Sequence, residues 1–172
     1  FHGILYIGTF SITNITFVVS IKNTNVANTL VMIATAPMLS AILGAYFLKE
    51  PPDKKTWVSI IITFFAIIYI FFDSLKIGNF YGDILGFITA LGLAVGAVTI
   101  RSAKTKNLVP AAVVGKLFVA TFALFFIESF ALIDKDLIIV PVMCILFVAI
   151  PFVLVTIAPR FITAAEVNLF FL

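Results

Sequence analysis

Residues 58–72 read Val-Ser-Ile-Ile-Ile-Thr-Phe-Phe-Ala-Ile-Ile-Tyr-Ile-Phe-Phe. A surface helix of a soluble protein shows a polar face with a period of 3.6 residues, and this stretch has none. Of the 172 residues of the chain, 63% are apolar and 11% are charged, and the mean hydropathy is +1.25. Soluble domains have about 45–50% apolar and about 25% charged residues. The sequence therefore predicts an all-α fold, a polytopic transmembrane helix bundle, and excludes a disordered or disulfide-stapled chain.

Short polar breaks divide the chain into seven apolar segments. Each is predicted to be a helix, because lipid offers no partner to unpaired backbone groups. The segments are residues 1–21, 26–48, 56–72, 82–100, 108–131, 137–157 and 162 onward. The last run would rise only about 16 Å as a helix, whereas a hydrocarbon core needs about 20 residues. We therefore expect a fragment, cut inside a helix at its C-terminal end and inside or close to one at Phe1.

Basic residues are concentrated in alternate loops. Three loops hold Lys49, Lys54, Lys55, Arg101, Lys104, Lys106 and Arg160, whereas the loops between them hold Lys22, Lys76 and Lys135. Short loops rich in Lys and Arg stay on the cytoplasmic side of a membrane. We therefore predict a multi-pass protein of the inner or plasma membrane, with loops 49–55, 101–107 and 158–161 in the cytoplasm. The net charge of +3 is not taken to indicate nucleic-acid binding.

Polar residues form a stripe along the first predicted helix. His2, Tyr6, Thr9, Thr13, Thr16 and Ser20 follow one another at steps of three or four, with Asn14 beside the middle. The stripe has two interpretations. It is a packing face, because Ser and Thr allow close approach and hydrogen-bond across helices, or it is the wall of a hydrated pathway. The two are compatible along different parts of the stripe.

Small residues and prolines mark other helices. Ala36, Ser40 and Gly44 recur at four-residue steps beside Pro37, and Gly82, Gly86, Ala90 and Ala94 do so in the fourth helix. Small residues at this spacing let two backbones approach, which predicts close packing of the fourth helix. Pro37 and Pro151 predict bends, at which freed carbonyls either face a cavity or only accommodate packing.

Lys116 lies about 12 Å along the axis from Leu108, inside the fifth predicted helix. Ionisable groups at such depth are functional candidates, and Lys116 would then face an anion or a substrate carboxylate. Its long stem also allows the ammonium to snorkel to the headgroups. Both interpretations stay open. Glu128, near the outer end of the same helix, is expected to be solvated.

The sequence shows no grouping of catalytic residues that is typical of an enzyme. Zinc-ligand spacing, a nucleophile elbow and a phosphate-binding glycine loop are all missing from it. Asp134 and Asp136 are too small a cluster for a two-metal site. Cys144 is the single cysteine and cannot form an internal disulfide. We therefore predict that the protein is not an enzyme and has neither a cofactor nor a metal site.

Residues 36–51 read Ala-Pro-Met-Leu-Ser-Ala-Ile-Leu-Gly-Ala-Tyr-Phe-Leu-Lys-Glu-Pro, and Trp57 follows. This stretch resembles the helix–loop–helix signature of EamA-type carriers in the drug/metabolite transporter (DMT) superfamily. Residues 82–85, Gly-Asp-Ile-Leu leading to Arg101, resemble the start of that family's second repeat. Residues 163–167, Thr-Ala-Ala-Glu-Val, are similar to the entry into its penultimate helix. The chain departs from the family at Ser59 and Ala66, where glycines are frequent, and at Leu93, where tryptophan is frequent.

The resemblance implies ten helices in two five-helix repeats of inverted topology, of which the seven segments would be the third to the ninth. Residues 1–73 would then form the last three helices of the first repeat and residues 74–81 a linker loop. Residues 82–172 would form the second repeat, truncated in its fourth helix. The family's cytoplasmic N-terminus implies that the third helix runs outward, in agreement with the charge argument.

We therefore predict a carrier that moves a small polar or amphipathic metabolite by alternating access. The predicted substrate-binding residues are Thr13, Asn14, Thr16, Pro37, Ser40, Lys116 and Pro151. The expected partners are a small-molecule substrate and the lipid bilayer, and assembly as a homodimer stays open. The alternative is a non-transporting membrane subunit or scaffold that assembles through small-residue helix faces.

Overall fold

The computed structural model describes residues 1–72, 79–103, 106–126 and 136–170, and within these ranges the chain is helical without any strand. The α-helices are α1 His2–Asn23, α2 Val26–Ile33, α3 Ala36–Leu43, α4 Lys54–Phe71, α5 Phe80–Ser102, α6 Val109–Leu124, α7 Asp136–Met143, α8 Ile150–Ile157 and α9 Ala164–Leu169. A π-helical segment Gly44–Leu48 extends α3, and a second one, Cys144–Ala149, joins α7 to α8. A short 3₁₀ segment, Ala158–Arg160, follows α8.

These bounds confirm the all-helical prediction over the described ranges. Four helical runs are long and apolar enough to cross a membrane: His2–Asn23, Val26–Leu48, Phe80–Ser102 and Asp136–Arg160. Val109–Leu124 is shorter but also apolar. The predicted end of the fifth segment, including Glu128, and most of the predicted linker lie outside the described residues.

Helix α5 is the centre of the bundle. It packs against α1 along its length and also contacts α2, α3 and α9. Ala90 and Ala94 are fully buried, and the neighbouring turns carry Gly82 and Gly86. Side chains this small let adjacent backbones approach closely. The close packing predicted for this helix from its small residues is therefore confirmed.

Hydroxyl groups connect α1 to its neighbours at one end of the bundle. The Ser20 hydroxyl lies 2.8 Å from Thr29 Oγ1 and donates to the Gly82 carbonyl over 2.7 Å. Thr16 Oγ1 lies 2.9 Å from Thr89 Oγ1 on α5. The C-terminal part of the polar stripe, from Thr16 to Ser20, is therefore a packing face.

Pro37 and Pro151 coincide with interruptions in the helices. A turn at Ala34 and Thr35 separates α2 from α3, and Pro37 is the second residue of α3. Pro151 is the second residue of α8, directly after the π-helical segment. A proline ring displaces the carbonyl four residues earlier and removes one backbone hydrogen bond, which explains both positions.

The outer helices present apolar surface. No residue from Asp136 to Ala149 is buried, and Ile138 and Phe147 are 72% and 67% exposed.

Helix α4 is anchored by Ile60, which is buried against Ala41 and Ala165. Asp53 caps its N-terminus, and the Asp53 carboxylate accepts bonds from Thr56 Oγ1 at 2.7 Å and Thr56 N at 2.8 Å. These two bonds favour the ionised form and lower the pKa of Asp53.

Gly82 and Gly8 provide a matched test of this packing. A Cβ at Gly82 would lie 2.7 Å from Thr24 Cβ and 2.8 Å from Thr24 N, whereas a Cβ at Gly8 would meet nothing within 4 Å. We expect Gly82→Ala to lower the free energy of unfolding by about 1–3 kcal/mol through overpacking. Gly8→Ala should be neutral or stabilising, by up to about 1 kcal/mol, because alanine is the better helix former. Unfolding in detergent, followed by Trp57 fluorescence, measures both; equal effects would contradict the close approach.

Candidate functional site

A cavity of about 280 Å³ lies between α1, α2, α5, α8 and α9. Its walls are mostly apolar and aromatic, with a few amide and hydroxyl groups. The lining residues are Tyr6, Phe10, Thr13, Asn14, Phe17, Leu30, Ile33, Thr89, Gly92, Leu93, Gly96, Ala97, Ile100, Phe152, Val155, Pro159, Val167 and Asn168. Among the described residues, this set contains no charged side chain.

The helical periods of α1 and α5 explain which side chains reach the cavity. Tyr6, Phe10, Thr13 and Phe17 follow one another at steps of four, three and four, so they share one face of α1. Gly92 lies opposite on α5, where an added Cβ would collide with the Thr13 hydroxyl. The glycine therefore gives the hydroxyl its place at the cavity wall.

Aromatic rings make up one wall. The rings of Phe10 and Phe152 meet edge to face, with centroids 4.7 Å apart and an interplanar angle of 71°. Tyr6 and Phe10 have centroids 6.1 Å apart. Both separations lie in the range that aromatic pairs favour. The pairing joins α1 to α8 across the cavity.

The polar groups of the cavity are already engaged as donors. Thr13 Oγ1 donates to the Thr9 carbonyl over 2.7 Å, and Thr89 Oγ1 donates to the Leu85 carbonyl over 2.9 Å. Asn14 Nδ2 donates to the Phe10 carbonyl over 2.8 Å, and Asn168 Nδ2 donates to Ser40 Oγ. These groups can still offer a bound molecule their oxygen lone pairs and the second N–H of each asparagine.

Four of the predicted site residues lie in or directly beside the cavity. Thr13 and Asn14 line it. Thr16 and Ser40 do not line it, but they hydrogen-bond the lining residues Thr89 and Asn168, respectively.

The other three are farther away, and none of them lines the cavity. Pro37 is buried within α3, and Pro151 is exposed one residue before Phe152. Lys116 is half-buried on α6, with Nζ 4.1 Å from the centroid of the Phe152 ring. Its ammonium therefore faces an aromatic ring that itself forms part of the wall.

Sequence reasoning missed several lining residues. Phe10 shares the helical face of Tyr6 and Thr13, so the period could have identified it. Thr89 and Asn168 are polar residues in apolar helices, which is a weak signal. Phe152 is one of 20 phenylalanines, and nothing in the sequence distinguishes it.

An arginine network lies next to the cavity at one end. Arg101 Nε is 2.8 Å from Glu50 Oε2, and Arg101 Nη1 donates to the carbonyls of Pro159 and Arg160 over 3.4 and 3.1 Å. Ile100 and Pro159, which line the cavity, adjoin this network. Arg160 Nη2 donates to the Lys106 carbonyl over 2.6 Å. The three loops that are rich in basic residues thus meet at the same end of the bundle.

Within the described part of the chain, no group of three or more His, Cys, Asp or Glu side chains is arranged to hold a metal ion. Cys144 is a free, exposed cysteine.

One part of the chain is similar to a known protein family. Residues 1–72, which hold α1 to α4 and the motif at 36–51, match the model of the EamA-like transporter family. This confirms the resemblance over that part of the chain, and together with the apolar helices it supports a multi-pass membrane protein. Neither the curated proteins nor the solved structures gave a match.

The contact between Arg101 and Glu50 can be measured by a double-mutant cycle of Arg101→Gln and Glu50→Gln. The pair is partly exposed, with 14% and 32% of the side chains accessible, so we expect a coupling of about 1 kcal/mol or less that weakens in high salt. Urea or thermal unfolding in detergent gives the four free energies. Lys54→Gln combined with Glu50→Gln is the matched control and should be additive. Additivity of the Arg101 cycle would show that the pair contributes nothing.

Proposed function

We propose, from the match of residues 1–72 to the EamA-like transporter family, that the protein is a membrane carrier working by alternating access. The observation that carries this proposal is the origin of the cavity walls. Helices α1 and α2 lie in the predicted first repeat, whereas α5, α8 and α9 lie in the predicted second repeat. In repeat-built transporters, the substrate site lies near the membrane midplane where the repeats meet.

The arginine network supports a mechanism in which one end of this cavity opens and closes. Glu50 belongs to the predicted first repeat, while Arg101 and the carbonyls of Pro159 and Arg160 belong to the second. Opening that end would part the Glu50 carboxylate from Arg101. Because the pair is partly exposed, water can replace the lost contacts at small cost.

We further propose that the network end faces the cytoplasm of an inner or plasma membrane. Loops 49–55, 101–107 and 158–161 hold the excess of basic residues, and residues of all three loops meet in the network. Basic residues in short loops are retained on the cytoplasmic side. A small molecule would enter and leave through the bundle, and the bilayer would cover the exposed apolar faces; a homodimer stays a prediction.

The residues proposed to surround the substrate are Thr13 and Asn14 directly, and Thr16 and Ser40 through their bonds to Thr89 and Asn168. Lys116 and Pro151 would act by placing the Phe152 ring. Pro37 would set the direction in which α3 leaves α2.

The alternative, a scaffold that assembles through small-residue faces, receives less support. The small residues of α5 already pack against other helices of the same chain, since Ala90 and Ala94 are fully buried. A partner could not reach them without displacing α1 or its neighbours.

Cysteine labelling tests whether the cavity belongs to a hydrated pathway. In a Cys144→Ser background, Thr13→Cys places a thiol in the cavity wall, whereas Ile12→Cys places it on the outer surface, where Ile12 is 56% exposed. A water-soluble, membrane-impermeant thiol reagent reacts with the thiolate, which forms readily only where water reaches the thiol. We expect Thr13→Cys to react at least tenfold faster than Ile12→Cys in proteoliposomes. An unreactive Thr13→Cys, or equal rates, would count against a transport pathway.

A further inference from the structure

The chemistry of the cavity walls restricts what the carrier can hold, and this inference rests on the proposed function. The cavity of about 280 Å³ is nearly twice the size of a cavity of about 150 Å³ that accepts benzene. It falls just short of the range of about 300–1,000 Å³ found for drug-sized ligands. A molecule with one or two fused rings therefore fits.

The rings of the wall favour a flat, apolar body. Tyr6, Phe10 and Phe152 are arranged edge to face or tilted, which leaves ring faces and edges to pack against another aromatic system. Ile100, Val155 and Val167 close the remaining sides. A guest of this shape would be held mainly by burial of apolar surface.

The described lining of the cavity has no charged side chain that could pair with a bound ion. Burying an ion without a partner is strongly unfavourable. Lys116 lies against the Phe152 ring but is not part of the lining. Arg101 is bound to Glu50 and to two carbonyls beyond the cavity end. An anion would therefore enter without a compensating charge, and a cation would meet only aromatic rings, one of which already contacts the Lys116 ammonium.

The hydrogen-bonding groups of the wall offer a bound molecule more acceptors than donors. The hydroxyls of Thr13 and Thr89 each have one proton, and both donate it to carbonyls of their own helices. Asn14 and Asn168 each donate one amide N–H to another group of the protein. Two lone pairs on each amide oxygen and those on the hydroxyls outnumber the protons that are left, which are one amide N–H on each asparagine and the hydroxyl proton of Tyr6. The wall therefore accepts hydrogen bonds more readily than it donates them.

We propose that the cavity binds an uncharged molecule with a one- or two-ring apolar body and an N–H or O–H donor. The rings of Tyr6, Phe10 and Phe152 hold the body, and the oxygens of Asn14, Thr13 and Asn168 receive the donor.

Four related probes test this on the unmodified protein. Indole has the ring and the N–H, 1-methylindole lacks the donor, indole-3-acetate adds a negative charge, and tryptamine adds a positive one. Saturable binding of tritiated indole is measured to the protein in lipid nanodiscs, with empty nanodiscs as background, and the other three compete. We expect indole to bind saturably and each of the other three to compete at least tenfold more weakly.

Variants locate the binding. Phe152→Leu should weaken indole binding several-fold because it removes one ring of the wall. Phe147→Leu is the matched control, since Phe147 is 67% exposed on the preceding π-helical segment, and it should leave binding unchanged.

Three results would overturn the proposal: no saturable indole binding, equal competition by 1-methylindole, or stronger competition by either charged probe. If indole-3-acetate were preferred and Lys116→Gln abolished that preference, Lys116 would instead be the partner of a substrate carboxylate. Failure of the proposed transport function would appear separately, as an unreactive Thr13→Cys, and would not change the ranking of the probes.

Discussion

The close approach of α1 to α5 is the constraint on which the rest of the structure depends. In lipid the hydrophobic effect does not drive helices together, so packing and interhelical hydrogen bonds must do so. At one end, Gly82 lets α5 touch the turn after α1, and the Ser20 hydroxyl bonds the Gly82 carbonyl. Farther along, Gly92 makes room for the Thr13 hydroxyl instead of a second side chain. The same pair of helices is therefore in close contact at both positions, and the cavity adjoins the second of them.

Breaks in helical regularity place the remaining walls. The turn between α2 and α3 and the π-helical segment before α8 both lie next to prolines. The second break matters more for the cavity. Helix α7 has no buried residue, yet Phe152, just beyond the break, packs edge to face on Phe10. A change of helical phase between the two allows one apolar run to serve the outer surface and the cavity in turn.

The helices could be predicted from the sequence because apolar length and polar breaks are local properties. The segment predicted at 26–48 has the same bounds as the helical run Val26–Leu48. The division of the α1 stripe, with Thr13 in the cavity wall and Ser20 in a packing contact, depends on which helix lies opposite, and a single sequence does not specify that. For the same reason Phe152 could not be told from Phe147, since lipid and a cavity both accept an aromatic ring. The position of Lys116 inside an apolar helix was predictable, but its contact with Phe152 was not.

Charged groups and neutral hydrogen-bonding groups lie in different parts of the bundle. This separation is compatible with the proposed opening of one end. Arg101 and Glu50 remain partly exposed at one end, so water can replace their contact when it breaks. An ion pair inside the cavity would have to be desolvated in every closed state, which is costly unless the pair stays perfectly matched. The neutral polar groups of Thr13, Asn14 and Asn168 carry no such penalty, because each already bonds the protein. Under the proposed carrier function, the strong electrostatic contacts would lie at the end that opens, and the weak, directional contacts would lie around the bound molecule.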